Sequence, residues 1–130
     1  MAKKAKVVLP VAPLPDLMAW WRAEQIQGII IGALATSLLS RPRVTRDVDA
    51  LVLLPEDRWQ PFLAAGKRFG FVPRIADALE FAQESRVLLL RHESTGIDVD
   101  IALGRLPFEE EAVARAVHTN VAGETIPLPP

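Results

Sequence analysis

The sequence contains no cysteine. Disulfide bridges and zinc sites with thiolate ligands are therefore excluded. The absence of disulfides fits a reducing compartment, and we expect a cytoplasmic protein. No hydrophobic run approaches the length of about 20 residues that a membrane-spanning helix needs, so we expect no contact with a membrane.

Neither sign of charge is in large excess, because the formal net charge is −1 at pH 7. No global electrostatic field therefore draws the protein to nucleic acid or to a membrane surface, and a nucleic-acid contact would need a local patch. The chain has 130 residues, of which 50% are hydrophobic. This length and composition suit one globular domain with a core of its own.

Several catalytic motifs are missing as well. The sequence has no Gly-x-Ser-x-Gly turn of the serine hydrolases and no Gly-x-x-x-x-Gly-Lys phosphate loop. His92 and His118 stand apart from each other, and we interpret each as a surface residue rather than a metal ligand or a base. Asp47 and Asp49 are not followed by the ligand spacing of an EF-hand.

Hydrophobic periodicity divides the chain into alternating helices and strands. We expect residues 1–15 to form a basic, proline-rich arm and residues 16–130 to form a single domain. Asp16 is predicted to cap a helix over 17–25. Further helices are predicted over 33–39, 55–69, 76–84 and 107–118, and strands over 27–31, 47–54, 86–91 and 96–103, with a short strand or tail over 123–130. This order predicts a mixed α/β (α+β) fold, with helices packed on one small central mixed sheet.

The predicted strand over 47–54 opens with two carboxylates, Asp47 and Asp49. Residues two apart on a strand project from the same face. Asp98 and Asp100 repeat this spacing in a later strand. If the two strands are neighbours, the carboxylates converge, and a divalent cation would remove their mutual repulsion. All-oxygen ligands suit Mg²⁺ or Mn²⁺, and a pair of such ions can support phosphoryl transfer.

A glycine turn precedes the acidic strand. Gly32 separates the strand over 27–31 from the helix over 33–39, and glycine lets the backbone approach a ligand closely. The N–H groups at the start of that helix can receive phosphate oxygens. Arg43 and Arg46 lie in the following loop, where they could clamp a triphosphate.

Each of these features also has an ordinary explanation. A single Asp-x-Asp pair at a strand end is usually a solvated edge, and the arginines alone are ordinary surface residues. A structural domain with an acidic edge is therefore one interpretation. The combination of strand, glycine, helix, basic loop and two acidic strands is more specific than its parts, and it favours a metal and nucleotide-phosphate site.

The pattern resembles the polymerase-β-type nucleotidyltransferase superfamily, in particular the AbiEii-type enzymes, the toxin side of type IV toxin–antitoxin systems. The likeness extends from about Trp20 to Leu128. The matching segments are Gly32-Ala33, Arg43-x-Thr45-Arg46-Asp47-Val48-Asp49, Val99-Asp100-Ile101 and Leu106-Pro107-Phe108-Glu109. The resemblance implies a nucleotidyltransferase (polymerase-β-like) fold.

The resemblance also implies roles for individual residues. Asp47 and Asp49 would hold Mg²⁺ or Mn²⁺. Asp100 would be the third carboxylate, which aligns the attacking hydroxyl, and Asp98 is a further candidate ligand. The implied nucleotide-binding residues are Gly32, Ala33, Arg43, Thr45 and Arg46.

The implied reaction transfers a nucleoside monophosphate from an NTP to a hydroxyl group on RNA or protein and releases pyrophosphate. The expected partners are the NTP and the RNA or protein acceptor. A cognate antitoxin and a second copy of the chain are further candidate partners.

Two differences from the family favour an alternative. Ala33 stands where the family usually has a glycine or a serine that touches phosphate, and the chain stops at Pro130, where relatives continue into a helical region. We therefore also consider a non-catalytic module of the same fold that binds a nucleotide or a partner protein.

Overall fold

The computed structural model describes residues 9–39 and 46–130. Within these ranges the chain forms five α-helices, a five-stranded sheet and a separate two-stranded hairpin. The helices are α1 (Leu14–Ala23), α2 (Gly32–Leu39), α3 (Trp59–Gly66), α4 (Ala78–Ser85) and α5 (Pro107–Ala114), with 3-10 turns at Glu56–Arg58 and Lys67–Phe69. The strands are β1 (Gln27–Ile31), β2 (Val48–Leu53), β3 (Phe71–Pro73), β4 (Val87–His92), β5 (Ile97–Gly104), β6 (Val117–Val121) and β7 (Glu124–Leu128).

The large sheet is mixed and has the order β1-β2-β5-β4-β3. Strand β2 runs parallel to β5, whereas the pairs β1 with β2, β4 with β5 and β3 with β4 are antiparallel. This arrangement confirms the predicted α+β fold with a central mixed sheet. The antiparallel hairpin of β6 and β7 forms a second sheet, which the prediction of a single sheet did not include.

Strand β2 lies inside the sheet, between β1 and β5. The residues on one of its faces are completely buried in the main core: Val48, Ala50 and Val52. Leu51 projects from the opposite face and belongs to a smaller cluster with Ile29 and Val113. Because side chains alternate along a strand, Asp49 lies on the face of the smaller cluster.

The main core is built around Trp20, whose side chain is 0% exposed. Its ring stacks on Phe62, with centroids 4.1 Å apart, and on Phe71, with centroids 5.2 Å apart. The indole N–H donates to the carbonyl oxygen of Phe62 at 3.2 Å. This packing holds α1 against α3 and against the β3 edge of the sheet.

The start of α1 differs from the prediction. The helix begins at Leu14, and the residue at its N-cap position is Pro13. The predicted cap at Asp16 is wrong, because prolines open this helix without an N–H that needs a partner. Asp16 lies in the first turn, and its carboxylate contacts His92.

His92 is buried, with 2% of its side chain exposed, so its predicted surface position is wrong. Its Nε2 lies 2.7 Å from Oδ2 of Asp16, and its Nδ1 lies 2.8 Å from Oγ1 of Thr95. Both ring nitrogens are thus satisfied, as a buried polar group requires. The contacts join α1 to the turn between β4 and β5. His118 is exposed, as predicted.

The C-terminal part of the chain contains more strand than predicted. Helix α5 ends at Ala114, and Val117 begins β6 where the sequence predicted continued helix. Of the short strand or tail predicted over 123–130, the structure shows the strand, β7. Strand β3 has three residues, too few for a periodic signal. Over the described residues, no helix combines the length and apolar character that a membrane crossing would need.

Candidate active site

Asp49 and Asp100 lie side by side on neighbouring parallel strands. The register of β2 and β5 pairs these two residues directly. Register partners on adjacent strands project from the same face of a sheet, so the two carboxylates stand together on the face that carries the smaller apolar cluster. The two acidic strands of the sequence are therefore neighbours in space, with one carboxylate of each in register.

The carboxyl group of Asp49 has a raised pKa. Partial burial is the largest cause, because burial disfavours the charged form. The negative charges of Asp100 and Asp47 raise the pKa further, whereas the positive charge of Arg74 lowers it. The Asp49 carboxylate is thus under electrostatic repulsion that an added cation would relieve.

Gly32 forms the neighbouring wall of the site. It joins β1 to α2 with a φ of +73°, a left-handed conformation that favours glycine. Ile31, the residue before it, is the register partner of Asp49 on β1. A Cβ atom at Gly32 would lie 2.6 Å from Oδ2 of Asp49. The N-terminus of α2 therefore borders the Asp49 carboxylate, and the predicted close approach of this backbone to a ligand stays a prediction.

Arg74, which the sequence did not single out, lies among the carboxylates. Its Nη2 is 2.6 Å from Oδ1 of Asp100, and its Nε is 3.8 Å from Oδ2 of Asp98. Its Nη1 donates a hydrogen bond to the carbonyl oxygen of Leu90 at 2.7 Å. Arg74 directly follows the short strand β3, so only the three-dimensional pairing of β3 with β4 brings it to the site.

Asp98 is held by arginines on both of its oxygens. Its Oδ1 accepts a hydrogen bond from Nε of Arg91 at 3.0 Å, and its Oδ2 faces Nε of Arg74. Arg91 is also its register partner on β4. Asp98 is therefore less suited to bind a metal ion than Asp100, for which the described residues provide one arginine rather than two.

The donor set suits a hard divalent cation. Asp47, Asp49 and Asp100 supply carboxylate oxygens, the ligands that Mg²⁺ and Mn²⁺ prefer. Within the described residues, however, no three acidic or histidine side chains are placed closely enough to surround one ion. Binding of a metal ion would therefore require the side chains of these three aspartates to reorient around it.

Asp47, Asp49, Asp98 and Asp100 together form an acidic cluster, and a cavity of about 520 Å³ opens beside it. This volume lies in the range of small-molecule sites, about 300 to 1,000 Å³. Part of its wall is apolar, from Leu9, Pro10 and Ile97. Its charged lining residues are Arg46, Asp47, Arg91 and Asp98. A ligand in this cavity would meet both basic groups and the carboxylates of the β2 and β5 ends.

The predicted nucleotide-binding residues are only partly described by the structure. Gly32 borders Asp49, and Arg46 is exposed at the cavity. Ala33 is the second residue of α2. Arg43 and Thr45 lie outside the described residues.

No protein-family model matches the chain, and no curated protein matches it. Among solved structures, it is similar to the crystal structure of a putative nucleotidyltransferase from Thermotoga maritima, with a TM-score of 0.55 and 16% sequence identity. The match covers 94% of this chain and 80% of that chain. The two proteins share a fold. This likeness confirms the predicted nucleotidyltransferase fold, and at this identity it concerns the fold alone.

Proposed function

We propose that the protein is a metal-dependent nucleotidyltransferase, which transfers a nucleoside monophosphate from an NTP to a hydroxyl group. The observation that carries the proposal is the register pairing of Asp49 with Asp100 beside Gly32. The shared fold supports it, because the similar solved structure is that of a putative nucleotidyltransferase.

In this proposal the three carboxylates have two different roles. Asp47 and Asp49 hold Mg²⁺ or Mn²⁺, which when bound supplies a Lewis acid to the phosphoryl group. Asp100 accepts a hydrogen bond from the attacking hydroxyl and takes up its proton. The register of β2 and β5 supports these proposed roles, because it pairs Asp100 with Asp49.

The glycine turn and the loop before β2 bind the phosphates in this proposal. The N–H groups at the start of α2 receive phosphate oxygens, with the helix dipole favouring negative charge. The guanidinium of Arg46 forms a charge-assisted hydrogen bond to the same group. Its position at the cavity beside Asp47 supports this role.

For the acceptor we propose a hydroxyl of RNA or protein, and for the biological setting the AbiEii-type toxin with its cognate antitoxin. Both follow from the sequence resemblance around Arg46, Asp47 and Asp49. The cavity is lined by both positively and negatively charged residues, so it suits an acceptor that carries charged groups of either sign.

Transfer of label from α-³²P-labelled NTPs tests the proposal. Each NTP is incubated with the protein, Mg²⁺ or Mn²⁺, and RNA or protein fractions as acceptors. We expect label on an acceptor, its loss on chelation of the metal, and its loss in Asp49→Ala. The matched control is Asp57→Asn, an exposed aspartate outside the site. Full transfer activity in Asp49→Ala would contradict the proposed roles.

A second candidate is a non-catalytic module that binds a nucleotide or a partner protein. The ion pair between Arg74 and Asp100 favours it, because the arginine already neutralises the proposed proton acceptor. Calorimetry with each NTP and Mg²⁺ separates the candidates. Tight nucleotide binding without transfer to any acceptor would support the module.

A further inference from the structure

Arg74 provides the positive charge inside the acidic cluster. Among the described residues, it alone forms an ion pair with Asp100. It also faces Asp98, and its positive charge offsets part of the rise in the pKa of Asp49. One guanidinium therefore interacts with carboxylates from both acidic strands.

The guanidinium of Arg74 is held in place. Its Nη1 is bonded to the carbonyl oxygen of Leu90, and its backbone N–H donates to the carbonyl oxygen of Leu89 at 3.1 Å. Its side chain is 20% exposed, compared with 51% for Arg91. A guanidinium, unlike an amine, carries its positive charge on a rigid planar group. The cluster thus contains a fixed, poorly solvated positive charge.

This charge opposes a metal ion at the same carboxylates. A divalent cation held by Asp47 and Asp49 would lie close to the guanidinium, because Asp49 is the register partner of Asp100, which the guanidinium contacts. Repulsion between partly buried charges is only weakly screened by water and salt. A triphosphate adds several negative charges at the same place and offsets that repulsion.

We propose that Arg74 is a resident counter-cation, which weakens binding of a divalent cation to the free protein and makes the metal bind together with the nucleotide phosphates. The inference rests on the proposed function. It adds that binding of the metal depends on the nucleotide, which the transfer reaction itself does not require. Arg74 is in this sense a positioning and charge-balancing residue rather than a catalytic one.

Mn²⁺ titration of the full chain, followed by electron paramagnetic resonance, tests this inference. Wild-type protein is titrated alone and with a saturating non-hydrolysable analogue of each NTP in turn. After subtraction of the Mn²⁺ that the analogue binds without protein, we expect at least one analogue to tighten Mn²⁺ binding to the protein about tenfold or more, because its phosphates offset the guanidinium charge. This measurement needs no variant, so it does not depend on whether a substitution folds.

Three variants separate charge from structure. Arg74→Gln should bind Mn²⁺ alone about tenfold more tightly than wild type, since the opposing charge is gone. Arg74→Lys keeps the charge and should stay within about threefold of wild type. Arg115→Gln removes the same charge from an exposed arginine that pairs with Glu111, outside the acidic site, and it should also stay within about threefold.

The outcomes distinguish this inference from the proposed function. Equal or weaker Mn²⁺ binding by folded Arg74→Gln overturns the inference, as does wild-type binding that no analogue tightens. If label transfer persists in either case, the proposed function stands. Absence of Mn²⁺ binding by wild type and all variants, with and without analogues, overturns both.

Discussion

A Cβ atom at Gly32 would lie 2.6 Å from Oδ2 of Asp49 and 3.2 Å from its Cβ. Position 32 is therefore restricted twice, by its left-handed φ and by the carboxylate that fills the space beside it. The glycine turn and the acidic strand therefore pack directly against each other, and Asp49 restricts the residue that position 32 can hold.

Replacing Gly32 by alanine should destabilise the protein more than strain alone explains. Gly123 is the matched control, since its φ is +86° and nothing lies within 4 Å of an added Cβ. Gly123→Ala should lose about 1 kcal/mol from backbone strain, and Gly32→Ala about 2 to 3 kcal/mol, because Asp49 must also move. Urea unfolding measures both. Equal losses would show that the contact with Asp49 carries no energetic weight.

Asp49→Asn should stabilise the free protein at neutral pH. The folded-state pKa of Asp49 is raised above 3.8, so the folded protein holds this proton more tightly than the unfolded chain does. Wild type therefore loses stability as pH rises from the unfolded pKa through the folded one, whereas the asparagine variant lacks this loss. The melting temperature of Asp49→Asn should exceed that of wild type. The difference should grow as pH rises from the pKa of Asp49 in the unfolded chain to its pKa in the folded protein, and it should be constant at higher pH.

Asp57→Asn is the control for the loss of one carboxyl charge, because this exposed aspartate lies outside the cluster. Melting curves of the three proteins from pH 3 to 8, without added metal, make the comparison. A margin for Asp49→Asn that shrinks with rising pH would contradict the sign of the pKa shift.

Asp100→Asn should act in the opposite direction. Asparagine leaves the guanidinium of Arg74 without its 2.6 Å ion pair, and a partly buried charge that loses its partner destabilises the fold. We expect a loss of about 1 kcal/mol in unfolding free energy. Denaturant titration beside Asp49→Asn measures the contrast, and stabilisation by both asparagines would show that Arg74 does not depend on Asp100.

His92→Ala should destabilise the fold without changing the chemistry of the site. The buried ring packs on Phe71 and bonds Asp16 and Thr95, so its loss should lower the unfolding free energy by about 2 to 3 kcal/mol. His118→Ala is the control, because that side chain is exposed. Label transfer per folded molecule should match wild type in both variants. A selective fall in His92→Ala would assign this histidine a part in catalysis.

Much of the fold could be predicted because the signals were local. Strand β1 matches its predicted bounds, and β2, β4 and β5 match within one or two residues. Gly70 ends the 3-10 turn after α3 with a φ of +90°, as a glycine at a predicted helix end should. Strands β3 and β6 were missed. The first is too short to show a period, and the second follows α5 where the sequence still resembles helix.

The sequence by itself determined most of the elements and the acidic positions, because alternation along a strand and glycine at a turn are properties of neighbouring residues. It placed Asp49 and Asp100 on strands but could not pair them, since register between β2 and β5 depends on contacts between distant segments. Only the tertiary structure decided that Arg74 lies against Asp100, that His92 is buried, and that Asp49 fills the space beside Gly32. Each of these results from packing between segments that the sequence alone leaves unrelated.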